Sequence, residues 1–369
     1  MKLRIVAGDS VRDKNNRDWI WDRLHNYIGY LDTDNYTFHI VSKYEEDSFW
    51  GLDLYFLNET IFITSQNKMQ VLRYDIEKNA FTIFKTGLQQ NATQYYTAKL
   101  SETKIIMIAY ELKYPALVFD MLSGQFEEVF WMEDIAYADK VIGRLEDSED
   151  EILIPVEAND EILIMNKKDL NYSKIQLHSI KKIGVVHKNG LKDVWIASKD
   201  GHELIKYCQG KEFKNTIADG NETIAFSRLV KYENRILAIP QYGEKIYLYD
   251  EEEKKGKTIK LPPNVIVPEG SSSLFWNCIV KQNKLILLPW RYPQIVEIDL
   301  KTYMARNYEV KVEPKDICRY IKIDTVIENS EIDLPCLIEF IKTENRMKDC
   351  NHSNDEQQSG SVIKQLCDL

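Results

Sequence analysis

The chain has 369 residues, 44% of them hydrophobic and 29% charged, with a formal net charge of −10. That composition suffices for two average domains or one long all-β array, and the mixed charge shows no basic stripe, so neither nucleic acid nor an anionic membrane is an expected partner. No apolar run approaches the roughly 18 residues of a membrane span, and the opening MKLRIVAGDS holds too short an apolar stretch for a secretion signal, so a cytoplasmic protein is expected.

One pattern repeats along the chain: an apolar strand, a short polar loop, a second apolar strand ending in Asp, then a turn. DRLHNYIGYLD carries it to Asp32, TIFITSQNKMQVLRYD to Asp75 and KIIMIAYELKYPALVFD to Asp120. EILIPVEANDEILIMN follows to Asn166, DVWIASKDGHELIKYC to Cys208, RILAIPQYGEKIYLYD to Asp250 and KLILLPWRYPQIVEID to Asp299. The end points lie 43, 45, 46, 42, 42 and 49 residues apart. Period-2 alternation rich in aliphatic residues and tyrosine is strand chemistry. Further apolar stretches upstream, such as AFSRLVKY (225–232) and LFWNCIVK (274–281), bring each unit to four strands in about 45 residues. The terminal carboxylate can accept backbone N–H bonds in the turn that follows. Asn166 can do the same; Cys208 does so poorly, and a looser turn is expected there.

Six residues after the marker an aromatic often returns, at Phe38, Phe81, Phe126 and Tyr172. Over roughly residues 17–342 this combination resembles the kelch-like β-propeller repeat, in an uncharacterised bacterial form. The double glycine of kelch proteins is absent, and ILAIP and LILLP stand in its place. The resemblance implies an all-β fold: a seven-bladed β-propeller of four-stranded antiparallel blades, closed by strands from both termini. The expected domain runs over 1–342, with a polar tail, expected to be disordered, over 343–369. In the closing blade YIGYLD and YTFHIV read as the third and fourth strands. ICRYIKIDTVI (317–327) and LPCLIEFI (334–341) are expected as inner strands from the C-terminus; DWIW (18–21) is the alternative second strand. Closure of this kind removes an open sheet edge. The fold implies no particular chemistry.

Motifs for chemistry are sparse. His25, His39, His178, His187, His202 and His352 are scattered, with no HxH or HExxH grouping. The loop acids Glu46, Asp47, Glu133, Asp134 and Glu222 read as solvated, so no metal and no cofactor are expected. Cys208, Cys278, Cys318, Cys336, Cys350 and Cys367 form no C-x-x-C pair and read as free thiols. GxSxG, SxxK and glycine-rich phosphate loops are missing, and no catalytic residue is assigned.

The aromatic loops are the better signal. They hold EEDSFW (45–50), NATQYY (91–96), PQYG (240–243), PEGSSSLFW (268–276) and PWRYPQ (289–294). Candidate ligand-binding residues are Trp50, Tyr95, Tyr242, Phe275, Trp276, Trp290, Arg291 and Tyr292; the competing expectation packs these rings between blades. Aromatic and arginine anchors are typical of recognition surfaces. The leading reading is a non-catalytic binding module or scaffold that takes a protein, peptide or glycan on its loop-rich face. The alternative is an enzyme (lyase, hydrolase or cyclase) acting on a carbohydrate or peptide in the central funnel.

Overall fold

The computed structural model describes residues 2–46, 49–87, 94–129, 140–141, 143–157, 160–180, 182–189, 193–217, 225–263, 274–313 and 315–316. The chain forms seven sheets, blades 1 to 7, over 7–43, 51–85, 95–129, 146–176, 183–216, 225–260 and 275–308. Each blade has four antiparallel strands hydrogen-bonded in chain order. This is a seven-bladed β-propeller, as the repeat predicts.

Strand parity explains how the blades stack. Successive side chains of a strand point to opposite faces, and the second strand of each blade is apolar on both. In blade 4, Ile152 and Ile154 join the cluster shared with blade 3, while Leu153 joins the one shared with blade 5. Among the described residues seven such clusters form, one between each pair of neighbours, including blades 7 and 1. The core is therefore a ring of interblade layers.

The turn markers act as predicted. Asp120 Oδ1 accepts the N–H groups of Leu122 and Ser123 at 2.9 Å, and Asp299 Oδ1 those of Lys301 and Thr302 at 2.9 and 2.8 Å. Asp250 repeats the arrangement with Glu252 and Glu253, and Asn166 takes the N–H of Lys168 at 2.8 Å. Cys208 departs from expectation. Its turn is tighter: Cys208 pairs directly with Lys211, leaving only Gln209 and Gly210, with φ of 51° and 77°. A two-residue hairpin with both φ positive closes through backbone bonds alone and needs no carboxylate.

The closing blade also differs. Both of its inner strands come from the N-terminus, Ala7–Arg12 and Asp18–Asp22, so DWIW is the second strand. The proposed inner strands at 317–327 and 334–341 find those positions filled, and they and the tail at 343–369 lie outside the described residues. The C-terminal contribution sits at the outer edge instead. Lys311–Val312 pairs in parallel with Thr37 and Phe38, and Leu3 N–H donates to Val310 O at 2.9 Å. The ring is closed by both termini, but from outside.

Candidate functional site

The innermost strands are Ala7–Arg12, Gly51–Leu57, Tyr95–Lys99, Glu146–Asp147, Ile183–Asn189, Ala225–Tyr232 and Phe275–Lys281. Five of them lose register near their start, at Ala7/Ser10, Gly51/Leu54, Ile183/Val185, Ala225–Arg228 and Phe275/Asn277. A bulge re-aims the side chain it displaces. Here Asp9, Asp53 and Asn277 lie in the irregular stretches or at their edge. Backbones approach closely as well: a Cβ on Gly8 would stand 2.6 Å from the Leu52 carbonyl oxygen.

These side chains meet across the axis. Arg144 Nη2, from the segment leading into blade 4, lies 3.0 Å from Asp9 Oδ1 in blade 1 and 3.3 Å from Asp53 Oδ1 in blade 2. Blade 4 adjoins neither, so the contact is possible only at the central channel. Thr97 Oγ1 donates to Asp53 Oδ2 at 2.6 Å and accepts from Tyr55 OH at 2.8 Å. Asn277 links the ring by donating to Asp9 and accepting from Arg228. Burial pushes the Asp53 carboxyl above its ordinary range, with Arg144 opposing. Burial also works against the Arg144 charge, but Asp9 and Asp53 outweigh it and hold the guanidinium protonated. Two acids and two arginines thus neutralise one another. Further down the same strands, His187 Nδ1 lies 2.6 Å from Glu146 Oε1.

A second cluster lies on the loop face. Arg23 occupies the turn between Asp18–Asp22 and Tyr27–Asp32, its N–H held by Val6 O at 2.9 Å. Its guanidinium carbon is 4.9 Å from the Trp50 ring and 4.9 Å from the Trp290 ring. Trp276 continues the row, 5.4 Å from Trp290 at an interplanar angle of 30°. Arg23 Nη1 donates to Gln66 Oε1 at 3.2 Å, and Gln66 N–H donates to Trp50 O at 2.9 Å. Trp50 is 50% exposed and Leu24, beside Arg23 in sequence, 48%. Burial lowers the Arg23 pKa to about 10. Blades 1, 2 and 7 each contribute to this patch.

The eight residues expected to bind divide by parity. Trp50, Trp276 and Trp290 come together around Arg23, and Arg291 is exposed beside them in sequence. Tyr95, Phe275 and Tyr292 do not present a surface. They are 1%, 0% and 3% exposed, Tyr95 between blades 2 and 3 and the other two between blades 6 and 7. Tyr95 and Phe275 each open an innermost strand and turn into the interblade layer. The Tyr242 side chain lies outside the described residues, as do Asp47, Glu133, Asp134 and Glu222. Glu46 pairs with Lys68 at 3.3 Å. Among the described residues, no three His, Cys, Asp or Glu side chains gather as a metal site would require, and Cys208 and Cys278 are free thiols. Sequence reasoning missed Arg23 and the whole channel ring. The ring had a signal: Asp9, Asp53, Thr97 and Asn277 are each the third residue of an innermost strand.

A groove of about 680 Å³ opens between the outer strands of blades 5 and 6, walled in part by Trp195, Lys206, Phe213 and Tyr249. Lys206 spans it as a strut, 2.8 Å from both Asp193 and Glu251, so its charge is already engaged.

The fold and these two clusters define a propeller with an ion-paired channel and an aromatic, cationic patch on one face. No family model matches the chain, and no curated protein matches it in sequence. In fold it is similar to virginiamycin B lyase from Staphylococcus aureus, at a TM-score of 0.61 and 9% identity, covering 80% of this chain and 97% of that one. It is similar also to YCF48, solved bound to D1 peptide, at 0.61 and 8%, covering 80% and 93%. The extracellular domain of a one-component system from B. thetaiotaomicron gives 0.57 and 13%, covering 78% of this chain and 38% of that one. At these identities the likeness establishes the fold alone.

Proposed function

We propose that this protein is a non-catalytic recognition module that takes a protein or peptide on its loop face, at the patch formed by Trp50, Arg23, Trp290 and Trp276. The observation that carries the reading is the half-exposed Trp50 held beside Arg23, with Trp290 on the same guanidinium. Rigid aromatics supply contact area at low conformational entropy, and arginine supplies directed donors. A peptide on a propeller of this shape has a precedent in YCF48 with its D1 peptide. A glycan is a less favoured ligand for the patch, since the cation suits an acidic one. We also propose that the protein is cytoplasmic and that it is built on a kelch-like repeat, the latter on the strength of its Asp-ended third strands and the aromatics that follow them.

The second reading, an enzyme working in the channel, draws on the likeness to virginiamycin B lyase and on the Glu146–His187 pair. Against it stands the engagement of Asp9 and Asp53 with Arg144, Asn277 and Thr97, which leaves neither carboxylate poised as a base. Panning a random peptide library on the immobilised protein separates the two. Recovered peptides should lose binding to Trp50→Ala and Trp290→Ala and keep it for His187→Ala. Peptides indifferent to both tryptophans would defeat the proposal.

A further inference from the structure

Several arginines of the fold have an acid to face, while Arg73 and Arg228 donate to the neutral Thr82 and Asn277. Arg12 pairs with Asp18, Arg17 with Asp13, Arg144 with Asp9 and Asp53, and Arg235 with Asp250. Arg23 has lost much of its water and, among the described residues, has no carboxylate. Its acceptor there is the neutral Gln66 Oε1. Two indole faces attract the cation, yet an indole face accepts no in-plane hydrogen bond. A guanidinium carries five N–H donors in one plane, and one of them is accounted for. Nε and Nη2 have no acceptor among the described residues and neither is a fully buried atom lacking a partner, so both keep some access to solvent. A planar fork flanked by ring faces and open along its edge matches a carboxylate, which takes two parallel N–H bonds. The apolar neighbours Leu24 and Trp50, both about half exposed, suit the aliphatic stem and flanking residues of an acidic side chain.

We propose that Arg23 is the receptor for an acidic side chain of the partner peptide, its carboxylate bound edge-on to the guanidinium between the Trp50 and Trp290 rings. This assignment rests on the recognition reading above and names the chemistry it recognises. It also accounts for the patch having neutral Gln66, not an acid, at the guanidinium: an acid there would close the site.

Tryptophan emission tests it on the full chain carrying Trp131→Phe, where Trp50 is the most exposed indole among the described residues. Quenching is measured at low ionic strength with anionic iodide and with neutral acrylamide. The ratio of the two should fall about fivefold in Arg23→Gln, the factor that a unit charge about 4 Å away supplies in water. The capped peptide acetyl-GLELG-amide should protect the wild type from iodide, and acetyl-GLQLG-amide should not. Arg23→Lys should keep the iodide preference and lose the peptide protection, because it keeps the charge without the fork. Equal quenching ratios in wild type and Arg23→Gln, or equal protection by the two peptides, would overturn the assignment. So would protection that appears only when the glutamine peptide carries a free C-terminal carboxylate. The peptide comparison needs no mutant, so misfolding of a variant does not leave the question open. Failure of the broader reading looks different: panned peptides then ignore Trp50→Ala and Trp290→Ala whatever Arg23 does.

Discussion

Replacing Arg144 by methionine should destabilise the fold strongly while sparing the loop face. The two carboxylate oxygens it holds are 3.0 and 3.3 Å from the same nitrogen, so they lie no more than 6.3 Å apart. The Asp53 side chain is 6% exposed, and without the cation it keeps Thr97 as its hydrogen-bond donor beside a second acid. Breaking one partner out of a buried ion network costs about 3–5 kcal/mol. Urea unfolding at pH 7 should show a loss of that size for Arg144→Met. Adding Asp53→Asn should recover much of it, because the residual cost is that of an uncompensated carboxylate. Acid should help the single mutant too. Burial already sets the folded pKa of Asp53 above its unfolded value, with Arg144 opposing. Removing Arg144 raises it further, so the folded state holds a proton that the unfolded chain has released. Stability is then gained as pH falls through that folded value toward the unfolded one. Arg144→Met within 1 kcal/mol of wild type, or a deficit that grows as pH falls from 7 to 5, would refute the argument. Peptide capture by folded Arg144→Met should match wild type; its loss would move the binding site into the channel.

Trp50→Ala should weaken peptide binding by about 2 kcal/mol or more, as hot spots do, and change stability by about 0.5 kcal/mol; paired calorimetry and melting curves on the same sample check both. The turn aspartates Asp75, Asp120, Asp250 and Asp299 are held below the ordinary carboxylate range, chiefly by a Lys78 hydrogen bond at Asp75 and by turn N–H groups at the other three. Their contribution is therefore present above the unfolded value and lost as pH falls through the folded one, and a fourfold Asp→Ala variant should show a flatter melting curve against pH below about 4. A chain ending at residue 316 keeps all seven blades and the outer-edge pairing and should fold; one ending at 308 loses the Lys311–Val312 clasp and should melt earlier by differential scanning calorimetry. A 316-residue chain that fails to fold would contradict this closure.

The seven registers were legible because the turn chemistry writes itself into the chain at intervals of 42 to 49 residues, with an aspartate, or Asn166 once, where free N–H groups needed an acceptor. Cys208 misled because a shorter turn, closed by Gln209 and Gly210, removes that need. The first innermost strand was not legible at all. AGDSVR has no apolar alternation, since its bulge and its place at the axis call for glycine and aspartate. The channel ring stayed hidden for a related reason: Asp9, Asp53, Arg144, Arg228 and Asn277 come from five repeats and meet only after closure. Among the loop aromatics, Tyr95 and Trp50 were equal candidates for binding, but one residue of parity sends Tyr95 into the interblade layer and leaves Trp50 outside.

Closure from the outside has a consequence for biosynthesis. Blade 1 ends at Lys43 and needs no inner strand from the far end, so it is complete early in translation. The next blades can dock on it in the order they leave the ribosome. Its other flank is less fortunate: Ile5, Tyr27 and Phe38 are covered by blade 7, whose last strand ends at Tyr308. At 5–20 residues per second, those side chains wait roughly 15–50 s for their cover. The nascent ring therefore carries one persistently open apolar flank, and a chaperone that shields an N-terminal blade would matter more to its yield than one that acts on the finished chain.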